Sequence, residues 1–543
     1  MQNAANKSWW DRLKPCVDLH GVGVFFVSFA IYLITAPSTV TFEDSGLFIL
    51  SGYYGGIPHP PGYPLYTFLA HVFSQVLPFS TVAFRISLLS ATLGAFSAVM
   101  GYQIFRQFSD KKTLATLTAL VFATAATVWG QMIVAEVYAL HVFLSLLFVL
   151  QCLHLQKQPS EKGFFVLGLI GALNLANHWP LFVLAGPSYL FLTKKHWWTK
   201  KFLGYFFVGL SFALVPYMLM WWRSNATGLE VAFLGPIENF SELIKYFARS
   251  YYGATDASVL HTWVDKTHFF MAFVKSLGFK DFSLLLAPLF FVGVWQLRAQ
   301  SQRPLALALT LMLLSSSVLL LFFLKLEFND LNLNVQKVFW LMPFFAYLCF
   351  AYWGAHFLDL KIRYLGTGFV ALALVAQILL NYHGQNLRND TFAEDYGRTI
   401  LASVPAGATL VASTDGDVGP VAYVHHVLKV NPSVEMYTGT GVFFKNRIFD
   451  PYIMSLRARR TYATEFIKQK KVVFSVKTIN VFDGMKELPI ASTFNGLTYR
   501  YTPFAEPAQQ VTEEVVQLAV KALDGYVKNR HIENWPYHRG TLA

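Results

Sequence analysis

The sequence predicts a polytopic α-helical membrane protein with a soluble α/β domain after its last span. Three observations carry this. The 543 residues are 55% hydrophobic and only 14% charged, against about 25% charged in ordinary soluble domains. Apolar runs near the ~20 residues that a bilayer requires recur about eleven times before residue 381. Basic residues cluster at every second connection between these runs, the pattern that orients membrane proteins.

Taken in order, the runs cover residues 21–36, 82–105, 114–130, 137–155, 164–177, 181–192, 202–222, 282–297, 305–324, 337–357 and 364–380. The fifth and sixth are short and meet at Asn177-His178-Trp179-Pro180, as a tight hairpin or with one segment re-entrant. Lys7, Arg12 and Lys14 precede the first run. Arg106, Lys111 and Lys112 follow the second, Lys157 and Lys162 the fourth, and Lys194, Lys195, Lys200 and Lys201 the sixth. Arg298 and Arg303, then Lys361 and Arg363, complete the set. The N-terminus is therefore expected in the cytoplasm. Loops 37–81 and 223–281 and the tail from 381 are expected outside, on the extracytoplasmic face of the inner membrane in a bacterial cell.

The net charge of +12 is read as orientation and contact with anionic membrane lipids, not as nucleic-acid binding, because the cations flank spans. The first apolar run reads as a retained span rather than a cleaved signal. Cys16, Cys152 and Cys349 fall in or beside spans, so no disulfide or cysteine metal site is indicated. The expected organisation is a transmembrane domain over 1–380 and an extracytoplasmic domain over 381–543. In the tail, 408–413 and 471–476 read as buried strands, and 418–430 and 515–529 as helices.

Loop 37–81 contains TFEDSG and then GGIPHPPGYPLY. Two short helices, 44–54 and 65–76, are expected to lie at the membrane surface, separated by a proline-rich turn that cannot be helix interior. Carboxylates at a membrane face are costly and mark function. For Glu43 and Asp44, a catalytic base and a helix N-cap are both open. His59, locked between prolines, fits a positioned contact or a plain turn. Arg85 opens the second long run, where a lipid phosphate, Asp44 or the interface itself could hold it.

Trp129, Glu136, Tyr138 and His141 cluster where the third and fourth runs meet, with Glu136 an acid at the edge of an apolar segment. Glu136 and His141 do not share a helical face, so no metal site is indicated. His178, Arg249 and Lys337 fall on the same outer side as Asp44 and could stabilise a phosphate leaving group. Asp415 and Asp417, in TDGD, read as turn chemistry.

The strings TFEDSG, GIPHPPGYPLYTFLAHVF, FRISLLSA, WGQMIVAEVYALH and NLANHW resemble a membrane glycosyltransferase family of the GT-C fold that includes a eukaryotic transmembrane protein O-mannosyltransferase. The resemblance covers residues 41 to about 180, with weaker echoes in VASTDGDVGPVAYVHHV and GLTYRYTP. It implies transfer of a sugar, mannose in the named relative, from a polyprenyl-phosphate donor to an acceptor hydroxyl, with inversion and with no cofactor beyond an optional divalent cation. It puts the general base on Asp44, with Glu43 in reserve. Arg85, His59, His178, Arg249 and Lys337 become candidates for the donor phosphate. Glu136, Tyr138, Tyr63 and Trp129 become candidates for the substrate pocket. The acceptor is a protein Ser/Thr hydroxyl, or a lipid or surface glycan. Leu47, where the family often has Glu, and Phe233-Leu234-Gly235-Pro236, where it tends to Trp-Gly-x-Pro, leave sugar and acceptor open. From the residues alone, a transporter or lipid flippase and a partner-binding scaffold remain the readings of other classes.

Overall fold

In the computed structural model, the described residues run from 18 to 503, less 198, 227–230, 234–235, 251–261, 298–302, 324–325, 413–414, 440–445, 450–453, 483–484, 486–487 and 496. Residues 513, 517 and 520 are described beyond these. The N-terminal cations, Arg298 and most of the expected helix 515–529 lie outside this set.

The helices in chain order are α1 Leu19–Thr35, α2 Ser45–Tyr54, α3 Pro64–Val76, α4 Val82–Phe108, α5 Lys112–Thr124, α6 Ala126–Ile133, α7 Tyr138–Lys157 and α8 Glu161–Leu184. They continue as α9 Gly186–Thr193, α10 Lys200–Ser211, α11 Leu214–Ser224, α12 Phe240–Phe247, α13 Trp263–Lys275, α14 Leu286–Gln296, α15 Arg303–Leu314 and α16 Leu320–Phe323. Then come α17 Asp330–Lys337, α18 Leu341–Lys361 and α19 Leu365–Gln385. Among the described residues, seven continuous helical segments are long and apolar enough to cross a membrane. The pair α5–α6, bent by 70°, makes eight, and α1 and α14 are shorter apolar helices.

A further reversal of the chain lies inside α8. His178 leaves helical geometry (φ −134°, ψ 77°) two residues before Pro180, as expected where proline excludes a continuous helix. A Cβ on Gly171 would stand 3.9 Å from the ring of Phe182, whereas eleven residues of straight helix would separate them by about 16 Å. The chain therefore doubles back, and Gln156 at the far end of α7 donates to the Leu192 carbonyl. The Asn177–Pro180 hairpin is real, although α8 continues past it.

Contacts at the helix ends show the alternation. One end gathers Asp18 with Lys112 (3.1 Å) and Glu161 with Lys201 (2.7 Å), and Lys157 with Gln107 (3.0 Å). The other joins the Trp129 indole to Thr35, Leu387 N–H to the Thr35 carbonyl and Arg223 to the carbonyls of Tyr54 and Gly55. Helices meet at small residues: a Cβ on Gly168 would overlap the Phe206 carbonyl, and one on Gly293 the Phe350 carbonyl. Small residues let backbones approach where lipid provides no hydrophobic drive.

After α19 the chain forms α20 Phe392–Ala402, α21 Asp415–Ala422 and α22 Leu456–Lys470 around five strands. These are β1 Thr409–Ala412, β2 Glu435–Thr438, β3 Val473–Ser475, β4 Ala491–Phe494 and β5 Tyr499–Thr502. The sheet order is β2-β1-β3-β5-β4. The pairs β1–β2 and β1–β3 are parallel, and β5 runs antiparallel to both β3 and β4. The strands expected at 408–413 and 471–476 are β1 and β3. The helix expected over 418–430 begins at Asp415 and loosens into a wider turn over Tyr423–Val427.

The tail and loop 37–81 share one core. Phe42, Leu47, Phe48 and Leu50 pack with Phe392, Leu401, Leu410, Val418 and Tyr423. Thr39 donates to Glu394, and the Tyr54 hydroxyl donates to the His426 carbonyl at 3.1 Å. Ser45 to Gly52 of α2 are all buried, because the tail covers them. Two glycines face each other across this seam. A Cβ on Gly46 would stand 2.6 Å from Gly419 Cα, whereas one on Gly419 would meet Gly46 Cα at 3.3 Å.

This asymmetry makes a prediction. Gly46→Ala should lower the thermal unfolding temperature of the detergent-solubilised protein, an overpacking cost of about 1–3 kcal/mol offset in part by the better helix propensity of Ala. Gly419→Ala should cost clearly less. Equal effects would contradict the packing described.

Candidate active site

The FEDSG turn positions two carboxylates differently. Glu43 is held in the left-handed region (φ 65°), unusual for a side chain with a Cβ. Asp44 returns to right-handed geometry (φ −68°) at the N-cap position of α2, yet its side chain makes no capping bond. Its carboxylate Oδ2 instead lies 3.2 Å from His59 Nε2. The cap reading of Asp44 is thereby excluded. His59 Nδ1 sits 3.2 Å from the Pro60 carbonyl, which fixes the ring's other edge.

The Pro-Gly segment carries His59 to this position. Gly62 (φ 90°) and Tyr63 (φ 41°) are both left-handed, and Pro64 starts α3, where a missing N–H costs nothing. The second outer loop holds the segment from the other side. Ile57 N–H donates to the Val231 carbonyl and Phe233 N–H to the Ile57 carbonyl. The Tyr246 hydroxyl donates to the Pro58 carbonyl at 2.5 Å. This places Arg249, just past α12, within electrostatic reach of Asp44 and Tyr63.

Glu136 completes the acidic side, in the break between α6 and α7, where its N–H donates to the Val134 carbonyl. It is 7% exposed and feels both Asp44 and Glu43. Rings enclose the group: Tyr63 lies 5.5 Å and Tyr138 5.8 Å from His178, centroid to centroid, and His141 lies 6.1 Å from it. Lys337, at the end of α17, bonds Asn334 at 3.2 Å and acts on Glu43.

The three carboxyls are driven apart electrostatically. Burial, then the charge of Asp44, pushes Glu43 up to about 7. Burial, then Asp44 and Glu43, raises Glu136 well above the carboxylate range. Burial would also raise Asp44, but the charge and hydrogen bond of His59, then Arg249, outweigh it and hold Asp44 below its ordinary value. The Asp44 side chain keeps 35% exposure against 11% for His59. One accessible, ionised carboxylate therefore faces protonatable neighbours, and such divergence separates acid and base roles.

Glu43, Asp44, His59, Tyr63, Glu136, Tyr138, His178, Arg249 and Lys337 are thus brought to one region. Two expectations are corrected. The Arg85 guanidinium is occupied by the carbonyls of Ser74 (2.6 Å), Leu77 (2.8 Å) and Thr81 (3.4 Å), so it closes the end of α3 rather than facing Asp44. Trp129 is fully buried and donates to Thr35 at 2.9 Å, so it is a packing residue. Asp281 went unremarked in the sequence. It is 2% exposed, accepts from the Thr127 N–H at 2.5 Å at the start of α6 and faces Lys337. Its signal was the one that marked Glu136, an acid at the edge of an apolar run. Among the described residues, no three His, Cys, Asp or Glu side chains are grouped to hold a metal.

Glu43 provides a pH test. Its carboxyl ionises near 4.5 ordinarily and near about 7 in the fold, so between those values the folded state holds the extra proton. Stability should fall as pH rises through this window and stay lowered above it. Glu43→Gln should therefore gain in unfolding temperature over the wild type as pH rises from about 4.5 to about 7. Parallel pH profiles would refute this environment for Glu43.

Comparison with known proteins converges on the same segment. Residues 44–201 match the family described as the N-terminal domain of protein O-mannosyl-transferase TMEM260. Protein O-mannosyl-transferase tmem260 of Dictyostelium discoideum is 23% identical over 464 residues, 75% of this chain and 55% of that protein. Protein O-mannosyl-transferase TMEM260 of Mus musculus is 26% identical over 436 residues, 76% and 62% respectively. The chain thus spans under two thirds of the length of these relatives. Among solved structures, ArnT from Cupriavidus metallidurans bound to undecaprenyl phosphate matches with a TM-score of 0.56 at 11% identity, over 90% of this chain and 98% of that one. The Archaeoglobus fulgidus oligosaccharyltransferase in complex with Zn and sulfate matches with a TM-score of 0.51 at 11% identity, over 88% and 73%. The fold is the GT-C fold of membrane glycosyltransferases, and over residues 44–201 the chain is similar to the N-terminal domain of the TMEM260 protein O-mannosyl-transferases.

Proposed function

We propose that this chain is a polyprenyl-phosphate-dependent glycosyltransferase that moves a sugar, mannose by analogy with its named relatives, onto a protein Ser/Thr hydroxyl. The observation that carries the reading is Asp44: accessible, ionised, bonded to His59 and free of any capping role. The TMEM260 match beginning at Asp44 and the undecaprenyl phosphate named with the ArnT structure support the donor class.

In this reading Asp44 accepts the proton of the acceptor hydroxyl. The hydroxyl oxygen forms a bond to the anomeric carbon as the bond from that carbon to the phosphate oxygen breaks, through an oxocarbenium-like transition state. Attack opposite the leaving group inverts the sugar configuration. The polyprenyl phosphate departs with the bonding electrons, and Arg249 is the cation placed to meet its charge, since preorganised charge at the leaving group lowers the barrier. His59 orients the Asp44 carboxylate. Glu136, whose carboxyl burial and the neighbouring acids keep well above the carboxylate range, presents a hydrogen-bond donor to the sugar rather than a competing base. By the distribution of cations the site faces away from the cytoplasm.

Asp44→Asn should cut transfer from radiolabelled polyprenyl-phosphate mannose to a Ser/Thr peptide by about 10²–10⁴-fold, the range for loss of a general base, with expression and monodispersity retained. Wild-type turnover in that variant would end the assignment, and a wild type inert towards every polyprenyl-phosphate sugar would end the function. Arg249→Gln removes a cation that lowers Asp44. The acid limb of its pH–rate profile should therefore move to higher pH, and an unmoved limb would remove Arg249 from the site.

A further inference from the structure

A second concave site lies at the end of the bundle opposite Asp44. Helix α7 starts beside Glu136 and ends twenty residues later at Lys157, about 30 Å away at 1.5 Å per residue. At that end a cavity of about 300 Å³ opens between α4, α7, α9, α15 and α18, the lower limit for small-molecule sites.

Its chemistry is two-sided. Lys157, Lys194, Lys195, Gln107 and Gln156 supply the polar lining, and Phe108 and Trp353 belong to the apolar wall. No carboxylate lines it among the described residues. The polar groups are organised: Lys157 Nζ donates to Gln107 at 3.0 Å, and Lys194 Nζ stands 4.2 Å over the Phe191 ring. The Trp353 indole N–H is buried with no acceptor among the described residues. A buried donor without a partner costs free energy, and an oxygen-rich ligand would relieve it.

The three lysines are exposed, and with two glutamines they line a hollow backed by aromatic rings. Basic pockets between transmembrane helices match anionic lipid headgroups. We propose that this cavity binds the phosphate headgroup of an anionic phospholipid, with the lysines on the phosphate, an ester or glycerol oxygen at Trp353 and the acyl chains leaving along the apolar wall. The site is separate from the sugar-transfer reading, and its test does not depend on turnover.

The full-length protein, purified in detergent and stripped of lipid, is titrated with phosphatidylglycerol, with phosphatidylcholine and with inorganic phosphate, and bound lipid is counted by native mass spectrometry. Phosphatidylglycerol should occupy one site at concentrations where phosphatidylcholine leaves no adduct, and millimolar inorganic phosphate should not displace it. Lys157→Gln with Lys194→Gln should weaken binding by about tenfold or more, while Lys157→Arg with Lys194→Arg retains it. Trp353→Phe, which deletes only the indole N–H donor, should weaken it severalfold and serves if the double variant does not fold. Equal binding of phosphatidylcholine, full displacement by inorganic phosphate, or wild-type affinity in the folded glutamine or Trp353→Phe variants would overturn the proposal.

Discussion

The 3.2 Å contact between Asp44 and His59 depends on almost everything around it. The two residues stand fifteen apart, and the intervening chain is a buried helix followed by a proline-rich turn. They meet only because α2 is covered, the turn is braced by Ile57, Pro58 and Tyr246, and left-handed geometry at Gly62 and Tyr63 sends the chain into α3. An N-cap bond would have turned Asp44 into its own helix. Left uncapped, the carboxylate takes the histidine and stays ionised among carboxyls that burial pushes up.

That geometry ties the tail to the membrane bundle. The core containing Phe42, Leu47 and Phe48 also contains Phe392, Leu410 and Val418, so the α/β unit is the lid of the carboxylate loop and not an appendage on a linker. Gly46 and Gly419 face each other across this seam, two residues from Asp44 on one side and two from Asp417 on the other. Asp415, Gly416 and Asp417, plain turn chemistry in the sequence, thus belong to a helix packed on the carboxylate loop. A small residue at 419 is what the close approach requires.

Charge is sorted along the bundle in a way that local contacts alone would not require. Carboxyls gather with Arg249, Lys337 and His59 at one end, and at the other three lysines line a cavity that no carboxylate lines among the described residues. The first grouping separates the protonation states of Glu43, Asp44 and Glu136. The second lines a cavity of about 300 Å³ with cations.

The sequence by itself determined the membrane class, the alternation of basic connections, the break at His178, strands β1 and β3, and the segment in which the acidic residues lie. These follow from period, span length, proline position and charge placement, which are local properties. It could not separate Asp44 as base from Asp44 as cap, because both place an Asp before a helix. It could not place Arg85 or Trp129, since an arginine beside a membrane and a tryptophan near an interface look alike whether they meet a ligand, a carbonyl or another side chain. Asp281 carried the same local signal as Glu136, an acid at the edge of an apolar run, but nothing local tied it to Thr127 or Lys337. Only the tertiary structure decided these, because each depends on which distant carbonyl, ring or charge the fold brings within about 3–6 Å.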